Sequence, residues 1–224
     1  MTRLPNALVY LVPVGRNRYE LYTEPPDDAA PSDPPEGFFG QRIHRMRERW
    51  HEAVEKARRS EADGRWARFR DWAVCRASET IAEQRTLWSL RQVEAARLSY
   101  PSDLSEIEAT NVRVRLLADA RRHHGTWVVI DGLLFVASGA FMLVPGPNVF
   151  AYYFGLRLVG HCLSWRGARH GMDQTIWQTQ AEPALAELRT LAGVPRESRS
   201  PRVHAIATCL NLPRLAAFFD RVAV

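Results

Sequence analysis

The stretch Trp127–Val144 reads WVVIDGLLFVASGAFMLV; Pro145-Gly146-Pro147 and the apolar segment VFAYYFGLRLVGHCLSW over Val149–Trp165 come soon after it. The two prolines lack amide donors, and the glycine admits backbone angles closed to other residues, so this turn ends one helix and starts another. We therefore predict a hydrophobic helical hairpin with antiparallel limbs over residues 126–171, at the centre of a mostly α-helical bundle.

The hairpin has two interpretations, and its sequence fits both. A helix over Trp127–Val144 would measure about 27 Å, close to a hydrocarbon core of about 30 Å, and its only charge is Asp131. Arginines flank both limbs while the turn is uncharged, which predicts a turn pushed into or through a bilayer. Alternatively the hairpin is the buried core of a soluble protein, with Asp131 paired to Arg157 of the neighbouring limb. Intramembrane charges face a partner or a pathway, so Asp131 is a candidate intramembrane charge in the first interpretation.

The remaining chain divides by composition into four segments. Residues 1–23 contain Leu8–Val14 and Tyr19–Tyr22 around a polar turn, which predicts a small β-hairpin that must pack on other elements. Residues 24–40 form an acidic, proline-rich linker. Residues 41–125 carry apolar side chains at three- and four-residue spacing, which predicts amphipathic helices.

Finer boundaries follow within these segments. The helical pattern runs to Ser99, and Asp103 with Glu106 is a plausible capping pair for a helix that ends near His124. Residues 172–224 are expected to be C-terminal helices: one over Glu182–Ala192, a polar break over Pro195–Pro201, and two short helices separated at Asn211. The last carries an apolar stripe that packs on the domain or docks onto a partner.

Composition and motifs exclude several classes of function. A mean hydropathy of −0.28 excludes a polytopic transporter. The net charge is +5, and nearly all basic residues of the chain are arginine, a side chain that binds anionic lipid headgroups well. Acidic residues are interspersed among the arginines, which makes nucleic acid an unfavoured partner. The three cysteines and the histidines indicate no metal site, and we expect the histidines to be solvated or interfacial. No nucleotide-binding or nucleophile motif is present, so we predict no enzyme and no cofactor.

The second limb of the hairpin carries two distinct faces. Tyr153, Arg157, His161 and Trp165 recur every four residues and share one face. Gly160, Ser164 and Ala168 form a series of small residues that allows close helix contact. His161 lies one turn from Arg157 and has an unperturbed pKa near 6.5, which makes pH sensing a hypothesis for this face.

Several of these residues, in this order, resemble the signature of the mitochondrial potassium–proton exchange-related family. The opening segment, Tyr10–Val14 followed by Arg18–Tyr22, is similar to that family's start. The resemblance implies a functional face made of Pro147, Asn148, Tyr153, Arg157, His161, Trp165, Arg166, Gly167 and His170.

What the resemblance implies is a membrane-associated, non-enzymatic component or regulator of potassium–proton exchange. Membrane lipid is then the expected partner, with a protein partner or a second copy as further ones, and potassium ion and proton enter by resemblance only. Gly160, where serine is common, and the lack of a transit peptide favour a bacterial relative at the inner membrane, or the mitochondrial inner membrane in a eukaryote. The alternative is a soluble, cytoplasmic helical scaffold, a subunit of a larger assembly.

Overall fold

In a computed structural model of the chain, two long helices connect adjacent strands of a mixed sheet. The structure describes residues 6–24, 86–138 and 149–223. These residues belong to one compact unit made of Met1–Glu24 and Arg85–Val224. The linker from residue 25 onward, the helices predicted before residue 86 and the Pro145-Gly146-Pro147 turn lie outside the described residues.

The sheet has four strands in the order β2-β1-β3-β4. Strand β1 (Asn6–Pro13) pairs antiparallel with β2 (Tyr19–Tyr22), which confirms the predicted N-terminal β-hairpin. Strands β3 (Ala95–Pro101) and β4 (Ile176–Glu182) continue the sheet in parallel pairing. The hairpin therefore packs on further strands, as two strands alone would require.

Strands β3 and β4 correct the helical prediction for their residues. The helical pattern was extended to Ser99, but Ala95–Pro101 is a central strand with neighbours on both sides. Alanine, arginine and leucine favour helices locally, yet Ala96 and Leu98 are buried by partners far along the chain, and this tertiary burial overrides propensity. Helices alone are predicted for residues 172–224, and this is wrong for Ile176–Glu182, whose strand depends on pairing with β3.

The described chain is mostly helical, as predicted. Helices α1 (Glu106–Ser138) and α2 (Val149–Asp173) connect β3 to β4. Helices α3 (Pro183–Leu191), α4 (Arg196–Cys209) and α5 (Leu215–Val222) follow the sheet. A short helical segment over residues 86–92 precedes β3. At 1.5 Å per residue α1 is about 50 Å long, roughly twice the length of the strands beside it, so its distal half projects beyond the sheet.

The start and the length of α1 differ from the prediction. Ser105, not Asp103, caps the helix: its backbone N–H donates to the Glu108 carboxylate at 2.9 Å, and the Glu108 N–H donates back to the Ser105 hydroxyl at 3.3 Å. This reciprocal pair is a capping box two residues along from the predicted one. The helix also passes through His124 without a break and continues to Ser138, and Gly125 lies within it at a close helix contact.

The C-terminal helices confirm two predictions and correct one. Helix α3 matches the amphipathic helix predicted over Glu182–Ala192, and the chain turns at Asn211, whose φ is +55°. The polar break over Pro195–Pro201 is wrong, because α4 begins at Arg196 and includes Pro201. Buried Arg199 anchors this first part of the helix by pairing with Asp220 at 3.5 Å.

The sheet separates two apolar cores. Along β1, Val9 and Leu11 face a core shared with the lower part of α1, whereas Val12 faces a core shared with α3, α4 and α5. The apolar stripe of α5 packs into the second core through Leu215 and Phe219, as one of the two predictions for it required. Both cores lie beside the sheet, so the distal half of the α1–α2 pair must be held by its own contacts.

Candidate functional site

Helices α1 and α2 pack against each other in antiparallel order. Glycines mark the contacts: a Cβ on Gly125 would meet Trp165 at 3.3 Å, and one on Gly155 would meet Phe135 at 3.2 Å. Since glycine lets two helices approach closely, these positions hold the pair together where neither core reaches.

The small-residue face of α2 also makes the close contacts that its spacing predicts. Ser164 and Ala168 are fully buried, and the indole N–H of Trp88 donates to the Ser164 hydroxyl at 2.9 Å. Gly167 lies under the carbonyl of Leu87, where a Cβ would overlap the carbonyl oxygen. This part of α2 therefore packs on the segment 86–92 as well as on α1.

Titratable side chains from both helices meet in the distal half of the pair. Its members are His124, Asp131, Arg157 and His161, and the rings of His123, Trp127 and Tyr153 surround them; we call this group the buried charge cluster. Along the first helix His124, Trp127 and Asp131 are three and four residues apart, and along the second Tyr153, Arg157 and His161 are four apart, so each set lies on one face and the two faces oppose each other. The predicted face of Tyr153, Arg157 and His161 is thus brought together, and α1 adds the other half.

Asp131 is the centre of the cluster and is fully buried. Its Oδ2 lies 3.4 Å from Arg157 Nε and 3.6 Å from His161 Nε2, which is the inter-limb ion pair that the sequence suggested. Among the described residues neither carboxylate oxygen has a partner at hydrogen-bond geometry. A buried carboxylate without hydrogen bonds is costly, and the guanidinium of Arg157 beside it stabilises its charge.

The two buried histidines form a direct contact. His124 Nδ1 lies 2.8 Å from His161 Nδ1, so one ring donates a proton that the other accepts. Because Nε2 of His161 faces Asp131, the His161 ring lies between His124 and the carboxylate. The order His124, His161, Asp131 is a short chain of groups that can each bind or release a proton.

Burial keeps both histidines neutral near pH 7. Desolvation, followed by the nearby His161 and His123, lowers the pKa of His124 to about 4. Desolvation also lowers the pKa of His161, against the opposing influence of Asp131 and with a further lowering by Arg157. We expected solvated or interfacial histidines; this is wrong for His124, which the fold buries, and holds for the exposed His123.

Aromatic rings fix the cationic side of the cluster. The Arg157 guanidinium lies over the Trp127 ring at 4.9 Å and donates to the Tyr153 hydroxyl at 3.3 Å. Trp127 also stacks on His161, with ring centroids 6.0 Å apart. These contacts hold a charged side chain beside a buried carboxylate in one geometry.

The remaining residues of the predicted functional face lie elsewhere. Trp165 contacts Gly125, Arg166 is exposed, and Gly167 is a packing residue. His170 Nε2 lies 3.2 Å from the Val93 carbonyl, beside the start of β3. Pro147 and Asn148 lie outside the described residues.

The sequence did not predict that His124 and Trp127 belong to this cluster. Their signal was their spacing of seven and four residues from Asp131, which places all three on one helix face. That signal was hidden because the helix was expected to end near His124. The described residues contain no group of three or more His, Cys, Asp or Glu arranged to hold a metal ion.

The outside of the distal helix pair is apolar although its inside is polar. Exposed apolar side chains surround it, and we call them the apolar distal surface: Val129, Ile130, Leu133, Leu134, Phe135, Val136, Tyr153, Leu156 and Val159. Exposed apolar side chains grouped on a pair of helices in this way are typical of an interaction surface.

Within the ranges 86–138 and 149–223, no helix combines the length and the apolar character needed to cross a membrane. The predicted first limb, Trp127–Val144, continues past Ser138 into residues that are not described.

Comparison with known proteins gives one clear result. No curated protein and no solved structure matches the chain significantly. The model of the family described as mitochondrial K+-H+ exchange-related matches residues 9–173, a range that includes most of β1, all of β2, β3, α1 and α2, and the whole buried charge cluster. That match covers most of the chain, and the chain therefore belongs to the mitochondrial K+-H+ exchange-related family.

Proposed function

We propose that this chain is a non-enzymatic, membrane-associated component or regulator of potassium–proton exchange, and that the buried charge cluster is its proton-responsive site. The family supports a role related to cation exchange. The observation that carries the proposal is the chain of titratable groups from His124 through His161 to Asp131, buried between two helices.

The proton chemistry of this chain follows from its geometry. With both histidines neutral, a proton that arrives at His124 passes across the Nδ1–Nδ1 contact to His161 and then from Nε2 to Asp131. Protonation of Asp131 removes the partner of Arg157, whose guanidinium then keeps only its contacts with Trp127 and Tyr153. One proton thereby changes the electrostatic contact between α1 and α2.

The cluster suits a proton better than a potassium ion. Potassium sites in proteins are built from rings of oxygen atoms that replace the hydration shell. Within the described residues the cluster offers the carboxylate of Asp131 and the hydroxyl of Tyr153, and a neighbouring arginine repels a cation. We therefore assign the chain a regulatory or accessory role that senses or relays protons for exchange.

Membrane association is supported by the inverted pattern of the distal helix pair. Its buried side chains are polar, including Asp131 and His124, while its exposed ones are apolar. We infer that the apolar distal surface enters one leaflet, at the bacterial inner membrane or the mitochondrial inner membrane. Carbonate extraction tests this: the chain should stay with the membrane pellet, and release into the soluble fraction would remove the membrane part of the proposal.

Potassium-dependent proton flux tests the exchange part. Inside-out membrane vesicles from cells that express the chain are loaded with a pH-sensitive dye, and potassium is added. Asp131→Asn, which keeps the volume but removes the charge, should abolish the contribution of the chain to this flux. Asp119→Asn is the matched control, because Asp119 is an exposed residue of the same helix. Equal flux from both variants and the wild type would contradict the proposal.

His161 gives a second, independent readout. If the cluster senses protons, His161→Ala should flatten the pH dependence of the flux while the far-UV circular dichroism stays unchanged. An unchanged pH dependence would remove His161 from the mechanism.

The apolar distal surface also favours a second candidate, a helical scaffold that binds another protein. A protein partner would cover the same exposed side chains, from Val129 to Val159, that we assign to lipid. Carbonate extraction distinguishes the two candidates. A chain inserted in lipid stays in the membrane pellet, whereas a scaffold held by a peripheral partner is released into the soluble fraction.

A further inference from the structure

An open pocket of about 480 Å³ lies beside Trp165 of α2. Arginines from two elements line it: Arg91 from the segment 86–92, and Arg166 and Arg169 from α2, together with His170. Three guanidinium groups around one pocket concentrate positive charge there.

The arginines of this pocket are available to a ligand. The Nε of Arg91 donates to the Trp88 carbonyl at 3.0 Å, which orients the guanidinium and leaves its amino groups. Arg169 makes a single exposed ion pair with Asp173 at 3.8 Å, of the kind that contributes little stability. Within the described part of the chain, no carboxylate pairs with Arg91 or Arg166.

A second groove continues from the first on the other side of Trp165. It has a volume of about 520 Å³ and adds Arg121 and Arg122 from α1. Its lining also includes Val129, the first residue of the apolar distal surface. The basic pocket and the apolar distal surface are therefore continuous, with a tryptophan between them.

The distance along the helices matches the layers of a membrane surface. Ten residues of α2 separate Arg166 from Leu156, which corresponds to about 15 Å. If Leu156 lies in the hydrocarbon of one leaflet, Arg166 reaches the headgroup layer, because a leaflet's hydrocarbon is about 15 Å deep. Tryptophan is enriched at that level, and arginine binds phosphate bidentately through its planar fork.

We propose that the pocket formed by Arg91, Arg166 and Arg169 is a binding site for the phosphate of an anionic phospholipid headgroup. This inference rests on the membrane association proposed above and adds to it a defined lipid class and a defined site. The apolar distal surface supplies attachment to any bilayer, and the arginine pocket supplies the preference for anionic lipid.

Flotation with lipid vesicles tests the site. The full chain is mixed with phosphatidylcholine vesicles, or with vesicles of roughly three parts phosphatidylcholine to one part phosphatidylglycerol, a moderate anionic surface. The wild type should float with both and bind the anionic vesicles more tightly. The triple variant Arg91→Gln, Arg166→Gln and Arg169→Gln should bind the anionic vesicles roughly tenfold to a hundredfold more weakly and the neutral ones as before.

A charge-matched control separates a site from general attraction. Arg16→Gln, Arg18→Gln and Arg202→Gln remove the same net charge from exposed positions outside the pocket. This control triple should keep most of the anionic preference, and an equal loss from both triples would overturn the site. A third chain with lysine at the three pocket positions keeps the charge but lacks the bidentate fork, so it should bind between the wild type and the glutamine triple.

The arms of the experiment distinguish every source of failure. No flotation of the wild type with either vesicle overturns the membrane association and the site together. Equal binding of the wild type to both vesicles overturns the headgroup site and leaves membrane association standing. If inorganic phosphate, titrated by calorimetry, binds the wild type in the absence of vesicles and displaces it from the anionic ones at low concentration, the pocket takes a soluble phosphate and the lipid assignment is wrong.

Discussion

Burial of His124 should make the folded chain lose stability as the pH falls below neutrality. The pKa of His124 is lowered to about 4 in the folded chain, mainly by desolvation, whereas an unfolded histidine titrates near 6.5. Between these two values the unfolded chain binds more protons than the folded one, so stability rises with pH across this window and is lost as the pH drops through it.

The magnitude follows from the same two pKa values. Because the two pKa values differ, the free energy of unfolding falls by about 2 kcal/mol between pH 7 and pH 5. His161, whose pKa is lowered for the same main reason, adds a loss in the same direction. Carboxylates contribute little above pH 5, so the window isolates the histidines.

The assay is urea unfolding of the full chain in mild detergent at pH 7 and pH 5, followed by far-UV circular dichroism. His124→Gln keeps an amide that can bond His161 but cannot titrate, so it should reduce the loss of stability by about 2 kcal/mol. His204→Gln is the control, because His204 is exposed on α4 and should leave the loss unchanged. If His124→Gln loses as much stability as the wild type between pH 7 and pH 5, the lowered pKa of His124 is not the cause of the loss.

Two further variants test local features of the fold by the same unfolding assay at pH 7. Gly167→Ala places a Cβ against the Leu87 carbonyl and should lower the free energy of unfolding by about 2 to 3 kcal/mol. Gly15→Ala is the control, because its new Cβ would be 3.4 Å from its neighbour and should change the stability little. Equal stability of the two variants would show that α2 can move away from residue 87. Ser105→Ala removes the capping box with Glu108 and should lower the free energy of unfolding by about 1 kcal/mol. Ser102→Ala, at an exposed position outside the helix, should leave it unchanged. A similar effect from both variants would mean that the cap contributes nothing.

Local pattern predicted the elements whose signal is complete within a few residues. The β1–β2 hairpin, the helix at Pro183–Leu191 and the turn at Asn211 are all confirmed, because alternation, helical spacing and turn chemistry act over short range. Strands β3 and β4 were missed because each is a strand only through its neighbours in the sheet. The exposure of β3 does not alternate clearly, since Leu98, Ser99 and Tyr100 are all buried.

The site shows the same division. Spacing along α2 predicted that Tyr153, Arg157 and His161 share a face, and the presence of one charge in each apolar limb suggested the pair of Asp131 with Arg157. Spacing does not report what lies opposite a face. The position of His124 against His161 therefore required the antiparallel alignment of the two helices.

The sequence by itself determined the family, the apolar character of the central helices and the identity of their few charged residues, because these are properties of composition and order. Tertiary structure alone decided that the polar side chains of α1 and α2 face inward and the apolar ones outward, since this depends on which faces meet. It also decided that Arg91, more than 70 residues away in the sequence, lies beside Arg166 and Arg169, where Gly167 lets residue 87 approach α2 closely. A charge acquires its pKa and its partners from its surroundings, and for this chain those surroundings are made by residues far apart in the sequence.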